Sequence, residues 1–144
     1  MALTRAQIES VLVSRCKKRM VFVEFAITTS GSNADLNDPI CNALQIMGVN
    51  PANIASIADG DLVTVTDAAK LCDLAEVRLL ENILGNSDKV TLQAASGTEH
   101  FSNFNEALEK IVARKQKELQ AKYGIGLGSL SSGKLSLAFQ SKNQ

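Results

Sequence analysis

Apolar positions recur at helical spacing in five stretches of the chain, and one of them is apolar around most of its circumference. In Thr66–Gly85 (TDAAKLCDLAEVRLLENILG), Ala68, Leu71, Cys72, Ala75, Leu79 and Ile83 share one face at about 100° per residue. Leu74, Val77, Leu80 and Leu84 widen that face and leave a narrow polar strip through Asp67, Lys70, Asp73 and Glu81. Such a helix is packed on several sides, so the pattern predicts the central post of a small helical domain. Thr66 or Asp67 supplies its cap and Gly85 the left-handed residue that closes it.

The other elements are set by local chemistry. Thr4-Arg5-Ala6-Gln7 spells a capping box, with Leu3 and Ile8 spaced as a hydrophobic staple. A first helix therefore starts at Arg5 and buries Ile8, Val11, Leu12 and Cys16. Val21–Ile27 (VFVEFAI) reads as a strand or as a continuation of that helix, and Thr28–Ala34 as a loop. Asp38-Pro39 is a cap followed by proline at the first helical position, opening a helix that buries Ile40, Ala43, Leu44 and Met47 and ends at Gly48. Asn50-Pro51 opens a shorter helix carrying Ile54, Ile57 and Ala58, with a turn at Asp59-Gly60.

Lys89–Ala94 alternates Val90, Leu92 and Ala94 with Lys89, Thr91 and Gln93, the period of a short strand. Ser102 or Asn103 then caps a long helix to Tyr123, stopped by Gly124, with Phe104, Leu108, Ile111, Val112, Leu119 and Tyr123 on its apolar stripe. Glu106–Lys110 and Glu118–Lys122 are spaced as i,i+4 pairs. After Gly124 the helical period is lost. Residues 125–144 are rich in glycine and serine, with Leu135, Leu137 and Phe139 alternating in KLSLAFQ as in a strand that adds to a partner's sheet. The expectation is a mainly α fold: a small helical bundle over 1–124, a short β segment between its last two long helices, and an extended C-terminal arm over 125–144.

Composition changes this picture little, and charge changes it more. The formal net charge is zero, so no overall affinity for polyanions is implied. Residues 1–34 nevertheless carry five basic and two acidic side chains, residues 35–100 three and ten, and residues 101–144 seven and three, giving +3, −7 and +4. An acidic middle between basic ends suits a surface on which one copy meets the next; the alternative is ordinary surface scatter. Cys16, Cys41 and Cys72 are odd in number and at no ligand spacing, which reads as reduced core residues of a cytosolic product. No signal peptide and no apolar run of membrane-spanning length are expected.

No catalytic, cofactor or metal constellation emerges. His100 has only the adjacent Glu99 beside it; Asp38, Asp59 and Asp61 are turn and cap residues; and GIGLGS and GSLSSGK come after a helix and open onto none, unlike a phosphate loop. Arg15, Lys17, Lys18 and Arg19 form a basic cluster that offsets a helix dipole or contacts phosphate, DNA or a neighbouring subunit. With Lys110–Lys122, that cluster supports a runner-up function, a small helical nucleic-acid-binding regulator. It has no recognisable helix-turn-helix spacing and few aromatics on which to stack bases.

VTVTDAAKLCDLAEVRLLENILGN at 63–86 and FSNFNEALEKIVARKQKELQAKYGIG at 101–126 together resemble the small helical head-to-tail adaptor (connector, or neck) proteins of tailed bacteriophages. The resemblance spans residues 61–126. It implies a non-enzymatic structural virion protein in the neck of the particle, assembled in the host cytoplasm. Its subunits form a ring, of about twelve copies if it matches a portal, with heterologous contacts between neighbours. The ring joins the portal to the tail or stopper proteins, extends the channel for genomic DNA without reading its sequence, and requires neither membrane nor cofactor. The arm, through Leu127, Leu130, Leu135, Leu137 and Phe139, is then the portal-binding segment.

Overall fold

The computed structural model describes residues 2–93 and 98–124, giving for 88–93 and 98–103 the backbone alone. Four helices occur among the described residues: α1 (Arg5–Phe22), α2 (Asn37–Ile46), α3 (Ala68–Gln93) and α4 (Thr98–Tyr123), with 3-10 turns at Ala34–Leu36 and Asp59–Leu62. No strand occurs among the described residues, and the fold is mainly α. The core is dictated by the apolar run in α3: from Leu71 to Leu80 every residue except Asp73 and Arg78 is buried. α1, α2 and α4 all pack on α3, which is the post its pattern predicts.

Contacts across α3 set the directions of its neighbours. Asp73 meets Tyr123, Glu81 meets Gln116 and Ser87 meets Asn105, so rising numbers on α3 pair with falling numbers on α4 and the two run antiparallel. Arg15 of α1 meets Asp73 and Glu76, while Phe22 stacks on Phe104 beside Asn105, so α1 runs parallel to α3.

The ends of the helices obey local chemistry in most places. Thr4 Oγ1 accepts from the Gln7 amide at 3.3 Å and Gln7 Oε1 accepts from the Thr4 amide at 2.9 Å, the reciprocal capping box. α1 and α2 end in the same Schellman pattern. The Phe25 amide donates to Met20 O and Glu24 to Val21 O; the Val49 amide donates to Leu44 O and Gly48 to Gln45 O. The left-handed residue is Gly48 (φ 85°) in α2 but Glu24 (φ 64°) in α1.

Six expectations are corrected. Gly85 does not end α3, which runs on to Gln93. An interior glycine costs a helix only about 1 kcal/mol, and the turn beyond it is held by Ile83 and Ser87 on the buried side, with the Ser87 hydroxyl within hydrogen-bonding distance of both Leu84 O and the Asn105 side chain of α4. Lys89–Gln93 is therefore helix, not strand: extending a nucleated helix wins over a short alternation with no partner strand, and Ala94 lies outside the described residues. α4 starts at Thr98, placing Ser102 and Asn103 inside it. α1 stops at Phe22, so Val23–Ile27 is neither helix nor strand. α2 begins at Asn37 after the 3-10 turn, and Asp38 is not its cap; its carboxylate instead accepts from Arg78 and Asn82 at 2.8 Å each. Finally, 50–58 forms no helix. Its backbone is taken by side chains instead: Asp61 accepts from Ala52 and Ala58, and Asn37 pairs with Ile54 O and the Ile57 amide.

The two irregular segments, 23–36 and 47–67, are fastened to α1 by a buried ion pair. Arg5 and Glu9 lie on the same stripe as Ile8 and Leu12 and are 3% and 0% exposed, with Arg5 Nε donating to Glu9 Oε2 at 2.9 Å. The rest of the guanidinium donates to Asn37 Oδ1, Ile57 O and Asn33 O at 2.6–3.0 Å. Glu9 accepts from the Gly31 and Asn33 amides at 2.7 and 2.9 Å, and Asp59 accepts from the Arg5 amide at 2.8 Å.

The strained cap of α1 is testable. A non-glycine residue in the left-handed region costs about 1–2 kcal/mol, part of which glycine returns as unfolded-state entropy. Glu24→Gly is expected to stabilise the chain by up to about 1 kcal/mol, read as a higher denaturant midpoint at unchanged slope. A lower midpoint would mean that the Glu24 side chain contributes more than its backbone costs.

Candidate functional site

The basic cluster of α1 is divided by the structure. Arg15, itself exposed, reaches across to α3, where its Nη1 lies 3.0 Å from Asp73 Oδ1 and 3.0 Å from Glu76 Oε1. Glu76 Oε2 also meets Lys115 Nζ at 3.2 Å, and Asp73 Oδ2 accepts from Tyr123 Oη at 2.8 Å and from Lys122 Nζ at 3.4 Å. Lys70 and Lys122 place their ammonium groups 5.4 and 5.2 Å from the Tyr123 ring centre. Two carboxylates thus face three cations at one seam. The pairing of Glu118 with Arg114 at 3.7 Å, and of Lys122 with Asp73, replaces the expected Glu118–Lys122 pair.

Electrostatics at the seam favour the charged forms. Burial alone would raise the Asp73 carboxyl, but hydrogen bonds from Tyr123, Arg15 and Lys122 hold it below the usual carboxylate range. Burial opposes the charge on Arg15, and Asp73 and Glu76 outweigh it, raising its pKa. Burial and the neighbouring Asp73 raise the Tyr123 phenol.

Lys17 and Lys18 are exposed and Arg19 is half-buried. Lys18 and Arg19 flank a groove of about 380 Å³ whose floor is Phe22, Phe104, Ala107 and Leu108. The Phe22 and Phe104 rings stack there with centroids 4.2 Å apart and planes at 25°. A basic rim around stacked aromatics offers a place for an acidic or phosphate-bearing partner group, and Arg15 takes no part in it. Leu127, Leu130, Leu135, Leu137 and Phe139 lie outside the described residues, as does the side chain of His100.

Nucleophilic chemistry has little to draw on at the three thiols. All are buried; burial, with a further contribution from Glu76, pushes Cys16 up to about 12, and burial raises Cys41 and Cys72 as well. Among the described residues no three metal-ligating side chains gather, and no helix is long and apolar enough to cross a membrane. The chain matches no known protein family, no characterised protein and no solved structure.

The helical pattern puts Asp73 and Glu81 on an exposed strip, does not single out Glu76, and places Tyr123 only on an apolar stripe. Asp73 and Glu81 are half-buried at helix junctions instead, Glu81 accepting from Gln116 Nε2 at 2.6 Å. The available signal was Lys115, which interrupts the stripe of α4 where a carboxylate on α3 has to answer it.

The seam makes a pH prediction. Because the folded pKa of Asp73 is depressed, its stabilising contribution is present above the unfolded value of about 3.9 and is lost as pH falls through the folded value. Asp73→Asn should therefore melt below the wild type at neutral pH, and the gap should close in acid. A gap that persists undiminished below the carboxylate range would contradict the assignment.

Proposed function

We propose that the chain is a structural virion protein, a subunit of the head-to-tail adaptor ring that joins the portal to the tail and extends the DNA channel. The observation that carries this reading is where the resemblance falls. Its two stretches, 63–86 and 101–126, supply most of α3 and α4, which pack antiparallel on each other through the Asp73–Tyr123 and Ser87–Asn105 contacts. They therefore make one structural unit, not two separate helices that happen to share a pattern.

Other features fit the same role. The described surface places large apolar side chains in the open at Ile54 and Val63 on the 47–67 segment, 64% and 69% exposed, and at Val21 at the end of α1. Heterologous ring contacts need two such unlike faces. In the sequence after Gly124, Leu135, Leu137 and Phe139 alternate with smaller residues, a pattern that suits strand addition to a portal. The regulator reading loses ground because Arg15, Lys115 and Lys122, three of its phosphate-binding candidates, are engaged with Asp73 and Glu76.

Full-length protein mixed with an isolated portal oligomer should co-sediment with it and add a ring visible by electron microscopy. Replacing Leu135 and Phe139 with Asp should abolish capture while the circular dichroism spectrum stays helical. Portal-independent, salt-sensitive binding of the monomer to short duplex DNA, without capture, would favour the regulator instead.

A further inference from the structure

The two ends of α1 carry unlike surfaces. At its start, Asp59 Oδ1 accepts from the Arg5 amide at 2.8 Å and Ile57 O from the Arg5 guanidinium at 3.0 Å, which anchors the turn Asp59–Leu62 there. Asp61 accepts from the Ala52 and Ala58 amides, so the loop carrying Ile54 is tied to that turn and to Val63 just after it. Ile54 and Val63 are the most exposed large apolar side chains among the described residues. Between Arg19 and Lys70 the chain has no lysine or arginine and six acidic residues. Of these, Asp59 and Asp61 belong to the turn, and neither is in an ion pair among the described residues. The projection is therefore apolar and negative, with no cation in its own segment.

At the other end of α1, about 20 Å from Arg5 at 1.5 Å per residue, lies the groove floored by Phe22, Phe104, Ala107 and Leu108. Lys18 and Arg19 stand on its rim, and among the described residues neither is in an ion pair. Val21, 53% exposed, follows Lys18 by one turn, and the exposed Lys110 follows Ala107 by one turn. Apolar surface and positive charge thus continue past the groove on both helices. Lys17, Lys18 and Arg19 outnumber Glu24, the one carboxylate between Cys16 and Ala34, and neither Glu106 nor Glu109 of α4 lines the groove.

We propose that this groove takes the Ile54–Val63 projection of a second copy of the chain, its apolar side chains on the aromatic floor and its aspartates toward Lys18 and Arg19. Within one chain the two surfaces cannot meet, because Arg5 holds the projection at the far end of the helix. Between copies they match twice over, exposed apolar side chains against an apolar floor and a negative segment against a positive rim. The contact is heterologous, so each copy keeps one free groove or projection until a ring closes. It deepens the adaptor reading, on which it rests for that closure, while the contact itself follows from charge and exposure.

The test follows full-length protein by sedimentation velocity. Lys18→Glu with Arg19→Glu alters the groove alone, and Ile54→Lys with Val63→Lys alters the projection alone. Each variant should keep its helical circular dichroism and associate at least about tenfold more weakly than wild type, equivalent to about 1.4 kcal/mol. Mixing the two should restore a complex, because the mixture holds one intact groove and one intact projection. Raising salt from about 0.1 M to about 1 M should weaken wild-type association as the Debye length shrinks, a reading that needs no variant to fold. A wild type that stays monomeric up to about 1 mM, association indifferent to salt, folded variants that associate like wild type, or a mixture that stays monomeric would each overturn the proposal. Portal capture is scored separately, so the adaptor reading can fail while this contact holds, and the reverse.

Discussion

Between α1 and the segments that join the α-helices lies the Arg5–Glu9 ion pair, and the placement of two long segments outside the α-helices depends on it. Burying two charges is costly unless geometry and hydrogen bonds repay the lost hydration. Here the guanidinium has an acceptor for each of its nitrogens and Glu9 accepts from two loop amides in addition to Arg5. Asn33, itself 1% exposed, extends the network by donating to Ala26 O and Thr28 O and accepting from the Asp35 amide. Segments 23–36 and 47–67 thus acquire from side chains the backbone partners that helices supply internally. Removing one member of such a pair typically costs about 3–5 kcal/mol, far more than an exposed pair contributes.

Holding those segments down is what leaves α3 free to serve three neighbours. α2 is carried to α3 at the end of the first segment and locked there by Asp38 on Arg78 and Asn82, and the second segment delivers the chain back to the start of α3. The α1–α3–α4 seam then closes on Asp73 and Glu76. The −7 middle of the chain is accordingly offset in part within the same chain, by Arg15 from one basic end and by Lys115 and Lys122 from the other. Lys17, Lys18, Lys110 and Lys117 are exposed basic positions outside that seam.

The elements legible in the sequence are those fixed by neighbours a few residues away. The Thr4 box, the Gly48 and Gly124 stops and the all-round apolar character of α3 are local patterns with local causes. The errors arise where tertiary contacts override propensity. Gly85 is a good stop signal, yet Ser87 reaching Asn105 carries the helix through it; Asp38-Pro39 is a good start signal, yet Arg78 claims the carboxylate. The Arg5–Glu9 clamp has one visible trace, two charges spaced i,i+4 in phase with Ile8 and Leu12 where an apolar stripe belongs. Its partners, 22 to 54 residues away, have none. Of the basic cluster, the sequence locates Lys18 and Arg19 but not Phe104, which completes their groove from the other end of the fold.

The central claim is that a buried ion pair makes two segments without regular structure part of the cooperative core. Native-state hydrogen exchange read at the Gly31, Asn33 and Ile57 amides tests it most directly, because each of these donates to Glu9 or to Asn37 of the clamp. The account predicts that all three exchange near the rate of global unfolding in the wild type, and that Arg5→Met lowers their protection together while the middle of α3 stays protected. Exchange of these amides at the rate of an unprotected loop in the wild type would contradict it.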